Sequence, residues 1–413
     1  MLTQLGIRAK KASRILMNAD AGLKNKALAA IAEAFAQNAA FLLSENEKDL
    51  AAARENGMAK AMLDRLALNE SRVAGLSQAA TELIALEDPV GKVLSGTTRP
   101  NGLFIEKVTV PFGVIAVIYE ARPNVTAEAA TLCLKSGNCV ILRGGKEAFR
   151  SNMAISKLMR GALAEVGLPE DCIQLVEDTS RESANALMKL NGYVDVLIPR
   201  GGAGLIRACV QNATVPLIET GTGNCHVYVD KDADLDMAVN IIYNAKTSRP
   251  SVCNACESLV VHKDIAKAAL PLIAEKLAAA DVLIHGDETV CGLIPAAVPA
   301  TEEDYGKEYL GYEISIKTVG SIDEAIAHIM KYTTGHSECI VTRNYFAAQK
   351  FTREVDAAAV YVNASTRFTD GGEFGFGCEM GISTDRMHAR GPVGIKELTT
   401  YKYVIRGNGQ IRG

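Results

Sequence analysis

The stretch that decides the fold runs from Val114 to Lys146 and reads VIAVIYEARPNVTAEAATLCLKSGNCVILRGGK. It opens on a short apolar run, Val114–Tyr119, set off by Pro111 and Gly113, which reads as a strand. Val125–Lys135 reads as a helix, and Cys139–Leu142 as a second short apolar strand. Short apolar strands separated by helices indicate a mostly parallel sheet with helices on both faces.

The alternation continues outward on the C-terminal side. Helices are expected over Ile155–Val166, Ser183–Leu190 and Leu205–Gln211, and strands over Ile173–Val176, Val194–Ile198 and Val215–Ile218. On the N-terminal side the character changes near Asp88-Pro89. Residues 1–87 read as consecutive amphipathic helices, with apolar residues at helical spacing in Leu28–Ala36 and Phe41–Ala53. Ser44-x-x-Glu47 matches a capping box, and the region carries no recognisable chemistry. Gly102–Tyr119 is β-rich, with Phe104, Val108 and Val110 ahead of the Val114–Tyr119 run. A second alternating run follows: strands at Leu259–Val261, Ile314–Val319, Cys339–Val341 and Ala359–Val362, with helices at Ile265–Ala278, Ile322–Met330 and Tyr345–Val355. The tail is glycine-rich and then strand-like over Leu398–Ile405.

With 413 residues the chain is too long for one ordinary core. Its 48% hydrophobic and 22% charged residues suit a globular protein, and a net charge of −4 gives no reason to invoke nucleic acid or a membrane surface. No Trp is present and aromatic residues make up 5%, which argues against a base-stacking platform. The first residues, Met1-Leu-Thr-Gln-Leu, lead into Lys10 and Lys11 without an apolar h-region, and no long apolar run follows. A cytoplasmic enzyme with free thiols is therefore expected. The ten cysteines lack metal-ligand spacing, because Cys253-x-x-Cys256 has no second pair and the six histidines are scattered.

Chemistry concentrates at turns after expected strands, where α/β proteins place their sites. Asn124, between a strand and a helix, either caps the helix or points into a cleft. Arg143-Gly144-Gly145-Lys146 is a basic glycine turn suited to a phosphate or a ribose 2′-phosphate, or a solvated surface turn. Pro199-Arg-Gly201-Gly202-Ala-Gly204 is a second glycine turn, without the full dinucleotide fingerprint. Glu219 follows a strand and precedes two glycines. Arg249-Pro-Ser-Val-Cys253-Asn-Ala-Cys256-Glu257 then puts a thiol in an irregular segment just before a strand, among small neighbours. A thiol so held, with a backbone N–H facing a developing oxyanion, is a candidate acyl-transfer nucleophile. A lone cysteine is more often a small buried hydrophobe, so the assignment depends on partners elsewhere.

Asn124, the Arg143 turn, Glu219 and Cys253 occur in the order and at the approximate spacing of the aldehyde dehydrogenase superfamily, which this chain resembles. Three further motifs are similar to its branch that reduces L-glutamyl 5-phosphate in proline biosynthesis. They are Val319-x5-Ala325-Ile-x-His328-Ile-x2-Tyr332-Thr-Thr-x-His336-Ser-Glu-x-Ile340, then Glu373–Ser383, and finally His388–Gly394 with Glu397–Tyr403. Thr333 departs from that pattern, which prefers Gly or Ser there.

The resemblance implies an α/β fold: a Rossmann-type NADPH-binding domain (1–99 and 119–226), a catalytic domain carrying Cys253 (227–385), and a small β oligomerisation element (100–118 and 386–413). It implies Cys253 as nucleophile and Asn124 as an oxyanion donor. Glu308, in Glu-Tyr-Leu-Gly311, takes the position that holds the nicotinamide ribose, and Arg143 that of the adenosine-ribose contact, with Gly144, Lys146, Gly201 and Gly202 completing the cofactor site. Glu219 matches the superfamily's general base, although a reductase that releases an aldehyde has no use for a hydrolytic water. Cys256 reads as structural, with a reversible disulfide to Cys253 as the alternative.

The implied partners are L-glutamyl 5-phosphate supplied by a glutamate kinase, NADPH, and further copies of the chain in a homo-oligomer built from dimers. Arg122 and Arg249 are the first choices for the substrate's anionic groups, followed by Lys246, His336 and Arg390. Two other readings stand beside this one: a general aldehyde dehydrogenase using Glu219 to activate water, and a cofactor-binding scaffold without turnover.

Overall fold

The computed structural model describes residues 2–412, so Met1 and Gly413, at the ends of the expected domains, lie outside it. The chain divides into two compact units. One is formed by the chain up to Thr220, with Gly375–Gly381 and the segment from Val393 onward; the other by Gly221–Phe374 and Ile382–Pro392.

The first unit has six strands before Thr220: β1 (Val93–Thr98), β2 (Phe104–Pro111), β3 (Val114–Tyr119), β4 (Cys139–Arg143), β5 (Ile173–Leu175) and β6 (Val196–Arg200). Among the described residues, β3–β6 form a four-stranded parallel sheet in the order β5-β4-β3-β6. Every residue of β3 is buried, as its unbroken apolar run requires. The helix Pro123–Lys135 starts with proline at its first turn, where the missing N–H costs nothing. It is buried almost all round, covered by the helices Ala21–Gln37 and Glu70–Ala85. At its end the buried Lys135 donates to Asn25 Oδ1 at 2.8 Å, and burial holds this ammonium below its ordinary pKa. Residues 1–87 are thus a covering helical layer.

Three expectations are corrected here. Ser44 lies inside the helix Ala39–Glu55, so Ser44-x-x-Glu47 caps nothing; the pattern recurs by chance on a polar helix face. Val215–Ile218 forms only a single bridge, Leu217 to Leu197, because Pro216 interrupts the ladder. The hairpin is displaced from 100–118: β1 and β2 pair antiparallel, and β2 also pairs with the C-terminal strand Thr399–Arg406. Val114–Tyr119 belongs instead to the parallel sheet, since its residues are apolar on both faces.

The second unit carries β7 (Cys225–Val229), β8 (Cys256–His262), β9 (Leu283–Gly286), β10 (Val298–Pro299), β11 (Glu313–Val319), β12 (Ser337–Val341) and β13 (Ala359–Val362). Among the described residues these form a seven-stranded parallel sheet in the order β10-β9-β11-β8-β7-β12-β13. Its two faces bury different sets. Val227, Leu259, Val261 and Ile316 pack with Ala245, Leu270 and Ile273 on one side. Tyr228, Val260 and Ile340 pack with Ile326, Ile329 and Phe351 on the other. The strand β7 and the helix Leu235–Thr247 extend the alternation upstream of Cys253, beyond what the sequence reading found. Ile382–Ser383 pairs with Gly391–Pro392 in this unit, and the chain passes between units three times, at 374/375, 381/382 and 392/393, around the expected boundary at 385.

Candidate active site

In the first unit the turns after β3, β4 and β6 converge at the C-terminal edge of the sheet, the usual location of ligands in open α/β folds. Glu120, at the end of β3, is the junction. Its carboxylate accepts a hydrogen bond from Gly202 N–H at 3.1 Å. A Cβ on Gly201 would lie 2.7 Å from the Glu120 carboxyl carbon, so any larger residue there would have to displace the Glu120 side chain. Gly202 is the residue preceding the helix Ala203–Asn212, whose first N–H groups favour an anion.

The other basic and polar candidates of this unit have defined places. Arg143 turns away from solvent: its Nη2 donates to the carbonyls of Thr179 and Ser180 at 2.5 and 2.6 Å, and burial lowers its pKa. It braces the Thr179–Ser180 turn, while Lys146 is exposed at the next turn and Gly144 is buried between them. Asn124 is not a helix cap. It lies in the first turn after Pro123, and its Nδ2 donates to Glu128 Oε1 at 2.9 Å, which leaves the second amide hydrogen for another acceptor. Arg122 precedes that helix, half-buried, and Glu219 is half-buried in the irregular segment after Leu217.

In the second unit Cys253 occupies the expected position, a half-buried turn ahead of β8. The turn is held by its own backbone, by the start of β7 and by the Thr366–Thr369 segment. Ala255 N–H closes it onto Val252 O at 3.1 Å. The Cys225 thiol at the start of β7 donates to the Cys253 carbonyl at 3.2 Å. Asn254 is buried, and its Nδ2 donates to the carbonyls of Arg367 and Thr369 at 3.2 and 3.0 Å. Thr366 Oγ1 donates to Asn254 O at 2.7 Å. Arg367 was missed by the sequence reading, since no motif surrounds it.

Gly223 fits against the back of this turn. A Cβ there would fall 1.5 Å from the Cys253 carbonyl oxygen. Glu308 fixes Gly223 in turn, because its Oε1 accepts the Gly223 N–H at 2.8 Å, and burial raises the Glu308 pKa. Gly223→Ala should push the nucleophile turn aside, lowering kcat about 10²-fold and stability by roughly 1–3 kcal/mol. Steady-state kinetics and urea midpoints would check both effects.

Two of the lesser substrate candidates are structural. Lys246 is fully buried and paired with Glu257, with Nζ 2.5 Å from Oε2. His336 is also buried, beside Ser337 Oγ and the Cys225 sulfur, and burial brings its pKa down to about 4. Arg390 pairs with Asp356 at 2.7 Å. Arg249 is exposed next to the Cys253 turn. Cys256 is a buried, reduced thiol in β8 that donates to Ser258 O at 3.4 Å, and burial raises its pKa far above the ordinary thiol value. No group of three or more His, Cys, Asp or Glu side chains among the described residues is placed to hold a metal ion.

A parallel α/β unit with a glycine-lined helix N-terminus, and another with a cysteine turn ahead of a buried strand, match one class of proteins. The chain belongs to the aldehyde dehydrogenase family, whose model matches residues 7–297. Within that family it groups with the gamma-glutamyl phosphate reductases. It is 58% identical to the gamma-glutamyl phosphate reductase of Carboxydothermus hydrogenoformans over 99% of both chains. It superposes on the crystal structure of gamma-glutamyl phosphate reductase from Thermotoga maritima with a TM-score of 0.97 and 50% identity, again over 99% of both chains. An acetylating aldehyde dehydrogenase from Geobacillus thermoglucosidasius shares the fold at 18% identity, with a TM-score of 0.70 over 99% of this chain and 97% of that one.

Proposed function

We propose that this protein reduces L-glutamyl 5-phosphate to L-glutamate 5-semialdehyde and phosphate, the second step of proline biosynthesis, through a thioester on Cys253. The observation that carries the reading is the Cys253 turn, built with Gly223, Cys225 and Asn254 ahead of a buried strand, in a chain of this family. An acyl phosphate has a good leaving group, so the Cys253 thiolate attacks without strong acid assistance. Phosphate leaves, and the thioester remains on sulfur. Asn124 and a backbone N–H are assigned to the oxyanion. Its amide is already oriented by Glu128.

NADPH, when bound, supplies the hydride. The first unit has groups suited to it. Gly202 N–H opens the helix Ala203–Asn212, where a pyrophosphate would bind by displacing the Glu120 carboxylate that this N–H now holds. Gly144, Gly201 and Gly202 allow close approach, and Lys146 is assigned to the 2′-phosphate. Arg143 acts in this scheme through the Thr179–Ser180 turn that it braces. Glu308 is assigned to the nicotinamide ribose, and Arg122 and Arg249 to the substrate's anionic groups. Glu219 remains an accessory group.

The substrate is supplied by a glutamate kinase, and the enzyme works in the cytoplasm; no single described helix is long and apolar enough to cross a membrane. The strand Thr399–Arg406 exposes Tyr401, Tyr403 and Ile405, and β1 exposes Val93 and Leu94. A strand edge of this kind needs a partner, which supports a homo-oligomer built from dimers.

The test runs the reaction backwards. Glutamate 5-semialdehyde should reduce NADP⁺ only when phosphate is present, and more efficiently than NAD⁺. Phosphate-independent formation of glutamate would instead identify a hydrolytic aldehyde dehydrogenase. Asn124→Ala should lower kcat by about 10²–10³-fold, measured in the same assay.

A further inference from the structure

Arg367 lies in the short 3-10 turn Thr366–Phe368, beyond β13. Its guanidinium reaches both flanks of the Cys253 turn. Nε donates to Ser248 Oγ at 3.1 Å on the upstream side, and Nη1 donates to Asn254 Oδ1 on the downstream side. The Asn254 amide returns bonds to the Arg367 and Thr369 carbonyls, so the two turns are laced together. Arg249 stands at the start of the same segment. Burial and the like charge of Arg249 both hold Arg367 below its ordinary pKa. The acidic groups facing it are Asp370, Glu373 and the Cys253 thiol. Asp370 Oδ1 is occupied by the N–H groups of Gly372 and Glu373, at 2.9 and 3.3 Å.

Arg367 is bonded to residues on both flanks of the Cys253 turn, and Arg249 is exposed in the same segment, so two guanidinium groups sit in the setting of one nucleophile and favour an anion there. A planar guanidinium suits phosphate oxygens in particular. We propose that Arg367, together with Arg249, binds the phosphoryl group of the acyl phosphate and stabilises it as it departs. This rests on the reading of Cys253 as the nucleophile. The thiolate sulfur bonds to the acyl carbon, the carbon–oxygen bond to phosphate breaks, and the electron pair leaves with inorganic phosphate. In the reverse direction the same pair holds phosphate for attack on the thioester.

The test uses Arg367→Lys, Arg367→Gln and, at an exposed position, Arg249→Gln. Each is assayed in reverse for the KM of phosphate and of glutamate 5-semialdehyde. Cys253 alkylation by iodoacetamide, a neutral reagent, is followed by peptide mapping, and thermal midpoints are recorded. The expected result is a phosphate KM raised roughly 10- to 100-fold, including in Arg367→Lys. The aldehyde KM, the alkylation rate and the midpoint should stay near wild type in Arg367→Lys and Arg249→Gln. An unchanged phosphate KM in those two variants would overturn the proposal. So would a parallel decline of every readout in the Arg367 variants with Arg249→Gln indistinguishable from wild type, since Arg367 would then only brace the turn. Rapid alkylation elsewhere, with Cys253 unreactive, would refute the nucleophile reading itself.

Discussion

Cys253→Ala should lower turnover of glutamate 5-semialdehyde with NADP⁺ and phosphate by roughly 10⁵- to 10⁶-fold, the usual consequence of deleting a covalent nucleophile. The fold should hardly register the change. Cys253 is half-buried, and the turn is held through its backbone carbonyl and by Asn254, which the substitution leaves in place. A thermal midpoint close to wild type with activity lost would separate chemistry from packing. Cys256→Ala provides the contrast. Cys256 is buried at the start of β8, so removing its sulfur should cost stability and leave the chemical step largely intact. Wild-type turnover in Cys253→Ala would remove that residue from the mechanism.

The second large effect concerns stability. In Lys246→Met the Glu257 carboxylate loses its ammonium partner, with both side chains fully buried in the native protein. Leu310 N–H, at 3.2 Å from Oε1, is then its remaining donor among the bonds described here. Stranding a buried charge this way costs about 3–5 kcal/mol. Burial pushes the Glu257 pKa up to about 7 even with Lys246 present, against an ordinary value of 4.5. Below 4.5 folded and unfolded chains both hold this proton. Between 4.5 and about 7 the folded chain keeps it while the unfolded chain releases it, so stability falls as pH rises through that window. Without Lys246 the folded pKa climbs further, and the fall continues above neutrality. Urea midpoints should therefore show a larger deficit for Lys246→Met near pH ~8 than near pH ~6. An equal deficit at both would contradict the account. The pair matters for function because Glu257 directly follows the nucleophile turn.

The α/β class was legible because β3, β4, β8 and β12 are short apolar runs covered on both faces, which leaves a signal that periodicity detects. The strand β7 was not read. Its five residues, Cys-His-Val-Tyr-Val, include a buried histidine whose Nδ1 lies 3.0 Å from Glu338 Oε2, a long-range pairing with no local trace. The hairpin was seen but displaced, since β-propensity runs on from Thr109 through Tyr119 and only tertiary pairing separates β2 from β3.

At the site, Cys253 was recognisable from its small neighbours and from the order of motifs. Arg367 was invisible because it lies more than a hundred positions downstream and meets the nucleophile turn only through folding. Its bonds to Ser248 and Asn254 make the connection, and neither leaves a local pattern in the sequence. Arg143 shows the opposite failure. A cation after a glycine-flanked strand looks like a cofactor ligand, yet its nitrogens face the Thr179 and Ser180 carbonyls, which no local pattern encodes.

A phosphate-free burst experiment tests the thioester most directly. Enzyme mixed with glutamate 5-semialdehyde and NADP⁺, without phosphate, should produce NADPH in an amount equal to the enzyme and then stop or slow sharply. Acid quenching followed by peptide mass spectrometry should find a glutamyl group on Cys253, and added phosphate should discharge it. Steady NADPH production from the first turnover with no acyl group on Cys253, or an acyl group on another residue, would contradict the account.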